Sequence, residues 1–185
     1  AISFSKIYDV IAIDINTKRV EELKLFKDST NEVDKIDLKK AINNNLKISS
    51  NYSDASNCNI YIVTVPTPVD KKKLPDLSFL KSASQSIGEL IKKDDIIIYE
   101  STVYPGCTEE YCVPILEKIS GLEYNNDFYC GYSPERINPG DKKHRIKKIN
   151  KIVAINKSKF AISKSIYKNL AKKLILTKNI EEAEA

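Results

Sequence analysis

The sequence predicts an α/β fold in which a doubly wound parallel sheet is covered on both faces by helices. Three observations point there. Short, near-continuous apolar runs recur along the chain, they alternate with stretches whose apolar residues fall at helical spacing, and several of the runs end in clusters of acid, hydroxyl and proline. With 185 residues, 42% hydrophobic and 30% charged, the chain is long enough to bury a sizeable core.

Taken in order, Tyr8-Asp9-Val10-Ile11-Ala12-Ile13-Asp14 reads as a strand ending in an acid, and Lys18 to Phe26 reads as a helix carrying Val20, Leu23, Leu25 and Phe26. Leu46-Lys47-Ile48 is a weak strand and Ser53 to Ser56 a helical turn. Asn59 to Val65 is a strong β-branched strand closed by Pro66. Asp76 is placed as an N-cap before Leu77, Leu80, Ala83, Ile87, Leu90 and Ile91, one face of a helix. Ile96-Ile97-Ile98-Tyr99 is a buried strand, Thr108 to Ile119 a helix and Asp127 to Gly131 a further strand. Lys151 to Ile155, Lys159 to Lys173 and Leu174 to Leu176 repeat strand, helix and strand.

In open sheets of this kind ligands bind at the carboxyl ends of strands. Asp14, at the first such end, can accept both hydrogen bonds of an adenosine ribose or cap the following helix, and Arg19 can flank an adenine or its phosphates. Thr64 and Thr67 follow the second strong strand, within Val63-Thr64-Val65-Pro66-Thr67-Pro68. In Glu100-Ser101-Thr102-Val103-Tyr104-Pro105-Gly106 two hydroxyls precede a helix start, where backbone donors and the helix dipole favour phosphate or a polarised water. Past the Asp127–Gly131 strand, Pro134 and Pro139 frame Glu135 and Arg136. Each proline fixes its own backbone dihedral and extends the residue before it, Ser133 and Asn138. That turn is either a surface ion pair or a pair of charges aimed at a ligand.

Composition excludes several classes. No apolar run of roughly 18 residues is present, so no membrane span is expected. Ala1 to Lys6 lacks the layout of a secretory signal, and Cys58, Cys107, Cys112 and Cys130 have neither zinc-ligand nor disulfide-framework spacing. No metal and a reduced cytoplasmic setting are expected. The net charge of +5 includes Lys71-Lys72-Lys73 and a basic run from Lys142 to Lys151, either a solvated face or an attractor of phosphates. No aromatic residue interleaves those lysines, so nucleic acid is not an expected partner. His144, the single histidine, lies in the basic run and is given no catalytic role.

The motifs Val63–Pro68, Glu100–Gly106 and Gly131–Asp141, in that order at strand ends, resemble those of the nucleotide-sugar 6-dehydrogenases, the UDP-glucose/GDP-mannose dehydrogenase family. They are most similar to the bacterial and archaeal branch that oxidises UDP-N-acetylhexosamines, UDP-N-acetylmannosamine or UDP-N-acetylglucosamine, for envelope polysaccharides such as capsule. The likeness is close from Ala1 to Ile155 and weak beyond. It implies a Rossmann-like, three-layer α/β/α domain and NAD as cofactor. The family oxidises the C6 alcohol to a carboxylate with two NAD⁺, through a thiohemiacetal and a thioester on a cysteine. By the same resemblance Asp14 and Arg19 would hold the adenosine ribose side, and Val65, Thr67 and Thr102 would line the nicotinamide side. Glu135 would be the general base that activates water for thioester hydrolysis, with Thr102 helping to hold that water. Arg136 and Ile137 would touch the UDP-sugar, and the full-length protein would be a homodimer.

The sequence also departs from the family. None of its five glycines falls in a G-x-G pattern, and Ala1 to Lys6 resembles the end of the helix that should follow the Gly-rich turn. The first strand and that turn are therefore expected to be missing. Residues 1–178 would be an NAD-binding domain incomplete at its N-terminus, and 179–185 the start of an interdomain helix. The central and UDP-binding domains, with the nucleophilic cysteine, would be absent, leaving a chain inactive alone. The lack of any methionine agrees with a chain that is truncated or incompletely recorded. Cys107 is expected to be a packed thiol at a helix start. The alternative from another class is a non-catalytic nucleotide-binding or regulatory α/β module.

Overall fold

A computed structural model describes residues 1–69, 71–135, 150–168 and 170–185. These fall into two compact units, one from Ala1 to Asn57 and the other from Cys58 onward.

In the first unit β1 (Val10–Ile13) and β2 (Leu46–Ser49) pair in parallel, Val10 opposite Leu46. The connection between them carries α1 (Thr17–Lys24) and α2 (Lys35–Asn43). Asn16 caps α1, its side chain accepting from the Arg19 amide, and Asp34 caps α2 by accepting from the Ile36 and Asp37 amides. Val20, Leu38, Ala41, Leu46 and Ile48 form the core of this unit. The sequence reading passed over α2, whose apolar positions Leu38, Ala41 and Ile42 stand among lysines and asparagines.

The second unit holds a sheet in the order β3-β4-β5-β6-β7: Ile60–Val63, Ile96–Tyr99, Tyr129–Tyr132, Asn150–Ile155 and Lys173–Leu176. In β4 all four residues are buried, from 0 to 2% exposed, so both faces of its centre are covered. Each such side chain contributes about 1.5–3 kcal/mol by leaving water. α3 (Ser78–Gly88) has Leu77 at its N-cap with no side-chain cap; Asp76, expected there, lies one residue further out and accepts from the Ser78 amide. A π-helical turn at Thr108–Cys112 runs into α4 (Val113–Ser120), which packs on α3 and ends in the left-handed Gly121. α5 (Phe160–Tyr167) and α6 (Ile180–Glu184) complete the unit. Cys107 and Cys112 are both buried free thiols, and a hydrogen bond between them shifts Cys107 down and Cys112 up as acids.

Two strands, β6 and β7, run against the direction expected of an all-parallel sheet. β3, β4 and β5 run parallel, but β6 is antiparallel to β5, with Gly131 opposite Ile155, and β7 is parallel to β6. A parallel neighbour needs a crossover, usually a helix. The sequence between Ser133 and Asn150 offers prolines and lysines without helical periodicity, which suits an antiparallel return. Gly131 permits the close pairing, because a Cβ there would sit 2.8 Å from the Ala154 carbonyl oxygen.

No helix among the described residues is long and apolar enough to cross a membrane, and no cluster of metal-ligating side chains occurs among them.

Candidate functional site

In the first unit Asp14 stands exposed just past the carboxyl end of β1. One carboxylate oxygen accepts from the Asn16 amide at 2.8 Å, and the helix cap itself is Asn16. The other oxygen makes no hydrogen bond among the described residues, which leaves an acceptor at the strand end. Tyr52 lies within its field: burial, and then the charge of Asp14, push the phenol up.

Arg19 is held in a built loop. Its guanidinium pairs with Asp28 at 2.5 Å and donates to Ser29 and Thr30. Asp28, its side chain 3% exposed, also accepts from the Thr30, Glu32 and Val33 amides and the Thr30 hydroxyl. Burial would raise this carboxyl, but the bonds from Thr30, Arg19 and Val33 outweigh it and hold Asp28 well below the usual carboxylate range. A folded-state value below the unfolded one contributes stability that is complete above about pH 5 and is lost as pH falls through the folded value. Asp28→Asn is therefore expected to lower the melting temperature at pH 7 and to cost progressively less below about pH 4. Thermal unfolding across pH checks this, and a deficit that does not shrink in acid would contradict it.

In the second unit three parallel strand ends are tied together. Ser101 donates its hydroxyl to the Val65 carbonyl at 2.6 Å, Thr67 donates to the Thr102 carbonyl at 2.6 Å, and the Tyr132 hydroxyl donates to the Ser101 carbonyl at 3.1 Å. Thr67 and Thr102 are thus brought together, with Val65 one residue pair away. Thr102 is exposed, and its hydroxyl makes no hydrogen bond among the described residues. A cleft of about 560 Å³ beside the β3 exit is lined by Pro68, Pro75, Leu77 and Tyr111, among others, and holds none of the candidate residues.

Glu135 lies exposed past β5. Arg136 and Ile137 fall outside the described residues. Behind the strand ends sits a buried group that sequence reasoning missed. Lys151 approaches a Glu100 carboxylate oxygen at 3.1 Å, and the Tyr167 hydroxyl donates to the same oxygen at 2.6 Å. Lys151 is 2% exposed and lies 5.3 Å from the Tyr167 ring centre. Burial, then the charge of Glu100 and the bond to it, raise Tyr167 well above an ordinary phenol, and the charge of Glu135 adds to the rise. Glu135 is therefore within electrostatic reach of the group. The signal lay in the alternation Lys151, Val153, Ile155, which puts the lysine on the inward side of its strand.

The helix start after Gly106, expected to favour phosphate or a polarised water, is filled by protein. Glu184 accepts there from the Gly106 amide, the Thr108 amide and the Thr108 hydroxyl. The sequence distance of 78 residues hides that bond from local patterns.

Parallel strands alternating with helices, with an acid past β1 in the first unit and hydroxyls gathered past β3 and β4 in the second, are features of Rossmann-type dinucleotide-binding folds. The model of the "UDP-glucose/GDP-mannose dehydrogenase family, NAD binding domain" matches residues 1–171, and the chain belongs to that family. A UDP-N-acetyl-D-glucosamine 6-dehydrogenase of Pseudomonas aeruginosa is 56% identical over 154 residues, 83% of this chain and 36% of that protein. Protein CapL of Staphylococcus aureus is 51% identical over the same length and shares. The solved UDP-D-ManNAc dehydrogenase of Pyrococcus horikoshii superposes with a TM-score of 0.90 at 29% identity, over 100% of this chain and 44% of that one. The chain thus spans well under half the length of these relatives.

The residues present fit NAD on the adenosine side. Asp14 offers an acceptor to ribose hydroxyls, and Arg19, already neutralised by Asp28, is not a free cation for a 2′-phosphate. The glycine turn that would cradle a pyrophosphate is not among these residues.

Proposed function

We propose that this chain is the cofactor half of an NAD-dependent dehydrogenase that oxidises the C6 alcohol of a UDP-N-acetylhexosamine to the uronate, for capsule or other envelope polysaccharide. The observation that carries the reading is the hydrogen-bonded gathering of Thr67, Ser101 and Thr102 at adjacent strand ends with Glu135 following the next strand. The 56% identity to the Pseudomonas aeruginosa enzyme supports the N-acetylglucosamine substrate.

Bound NAD⁺ supplies the hydride acceptor. Asp14 holds the adenosine ribose by accepting from its hydroxyls, and Arg19 flanks it. Val65, Thr67 and Thr102 line the nicotinamide side, where the Thr67–Thr102 bond fixes the height of the rim. The Thr102 hydroxyl orients a water whose proton Glu135 takes as the water attacks the thioester carbonyl carbon, the C–S bond breaks and the cysteine thiolate leaves. Arg136 and Ile137 contact the sugar nucleotide. In this reading residues 1–178 form the cofactor domain and 179–185 open an interdomain helix. The chain alone does not turn over, and the full-length protein is a cytoplasmic homodimer.

Titration calorimetry tests the reading. The full-length protein should bind NAD⁺ and UDP-N-acetylglucosamine with linked affinities and should not bind a short oligonucleotide. Binding of NAD⁺ with no response to the sugar nucleotide would favour a non-catalytic nucleotide-binding module and sink the dehydrogenase.

A further inference from the structure

We infer that Glu184 is a positioning residue, a carboxylate latch that sets the loop carrying Thr102 by occupying the helix start at the loop's far end. The role of Thr102 rests on the function proposed above; the latch itself does not.

The opening amides of a helix lack partners within it. Here the Cys107 amide is used by the Tyr104 carbonyl, and those of Gly106 and Thr108 point to Glu184, at 2.6 and 2.9 Å. The Thr108 hydroxyl adds a third bond at 2.6 Å. Glu184 is 9% exposed, and no cation pairs with it among the described residues. Its charge is therefore met by these three donors and by the dipole of the helical run from Thr108 to Ser120. Gly106 adopts φ +91, a left-handed conformation that turns its amide to the carboxylate, and a Cβ there would press on the Glu110 carboxyl at 3.1 Å.

The loop from Ser101 to Gly106 is held at both ends. Ser101 and Thr102 are fixed to Val65, Thr67 and Tyr132, and Gly106 and Thr108 are fixed to Glu184. Between those anchors Thr102, Tyr104 and Pro105 are exposed. Loss of the second anchor leaves the exposed stretch tethered at one end, so Thr102 samples more positions while the sheet beneath stays intact. α6 itself is kept in place by buried Ile180 and Ala183, so the carboxylate can be altered without removing the helix.

The test uses Glu184→Ala and the near-isosteric Glu184→Gln in the full-length protein. In the alanine variant the Gly106 and Thr108 amides should exchange with deuterium about tenfold faster or more, as expected for lost charge-assisted bonds. The β4 amides of Ile97 and Ile98 should keep their protection. NAD⁺ affinity should fall by a similar factor, and added sodium formate should restore both readouts by returning a carboxylate to the vacated donors. Glutamine should recover part of each. Unchanged exchange at Gly106 and Thr108, parallel acceleration in β4, or no response to formate would each overturn the latch. If exchange responds but NAD⁺ affinity does not, the positioning of Thr102 is overturned. If the unsubstituted protein fails to bind NAD⁺, the proposed function falls, and the exchange and formate measurements still decide the latch.

Discussion

Glu135→Gln in the full-length protein is expected to lower uronate formation by roughly 10²- to 10⁴-fold, the range for removing a general base, while substrate binding changes little. The amide is nearly isosteric and replaces an exposed side chain, but it cannot take a proton from the attacking water. If that water hydrolyses a thioester, the acyl-enzyme should persist, and intact-protein mass spectrometry should find it as an adduct of the sugar nucleotide. Hydrolysis at the normal rate with no adduct would remove Glu135 from the mechanism.

Lys151→Met is expected to have the largest effect on stability. It removes the cation from a group in which Lys151 is 2% and Glu100 8% exposed, and leaves a carboxylate buried with only the Tyr167 hydroxyl to meet it. Breaking a buried pair from one side costs about 3–5 kcal/mol, which for a domain of this size lowers the melting temperature by roughly 10 °C or more. Lys151→Met combined with Glu100→Gln should recover much of the loss, because the uncompensated charge disappears while methionine still fills the space. Urea unfolding of the two variants beside the parent measures the difference. A single variant that unfolds with the parent, or a double variant worse than the single, would show that the pair is not what stabilises this part of the sheet.

How much was legible in the sequence follows from the range of the interactions involved. The strand Ile96–Tyr99 and the helix Ser78–Gly88 announced themselves through contiguous and helically spaced apolar residues, both local signals, although the cap expected at Asp76 falls at Leu77. The three strand ends were legible through their hydroxyls and prolines, and the family follows from the same motifs. α2 was missed because only Leu38 and Ala41 of its nine residues are buried, so its apolar face is too narrow to show a period. The reversal at β6 was missed because strand direction is decided by the connection and not by the strand. Glu100 finds Tyr167 67 residues away, and Glu184 finds Thr108 76 residues away. Pairings at that distance depend on the folded sheet, and no spacing rule along the chain encodes them. Arg19 stands between these cases. Its partner Asp28 is nine residues on, near enough for the Asp-Ser-Thr run to read as a turn that captures a side chain.

The reversal at β6 also changes where ligand-facing side chains should be sought. In β3, β4 and β5 the functional edge is reached at the last residues of each strand, but Tyr132 lies opposite Ala154 and the Ser133 hydroxyl meets the Ile152 carbonyl. Chain direction thus brings β6 to this edge with its first residues, Asn150 and Lys151, and β7 follows in parallel with Lys173 opposite Asn150. Two successive strands therefore present their amino ends, each bearing a lysine, beside three that present carboxyl ends. Of the two lysines, Lys151 is buried against Glu100 and only Lys173 is exposed, so the edge gains one cation from a strand beginning as well as donors from strand ends, and a substitution scan for ligand contacts would cover both.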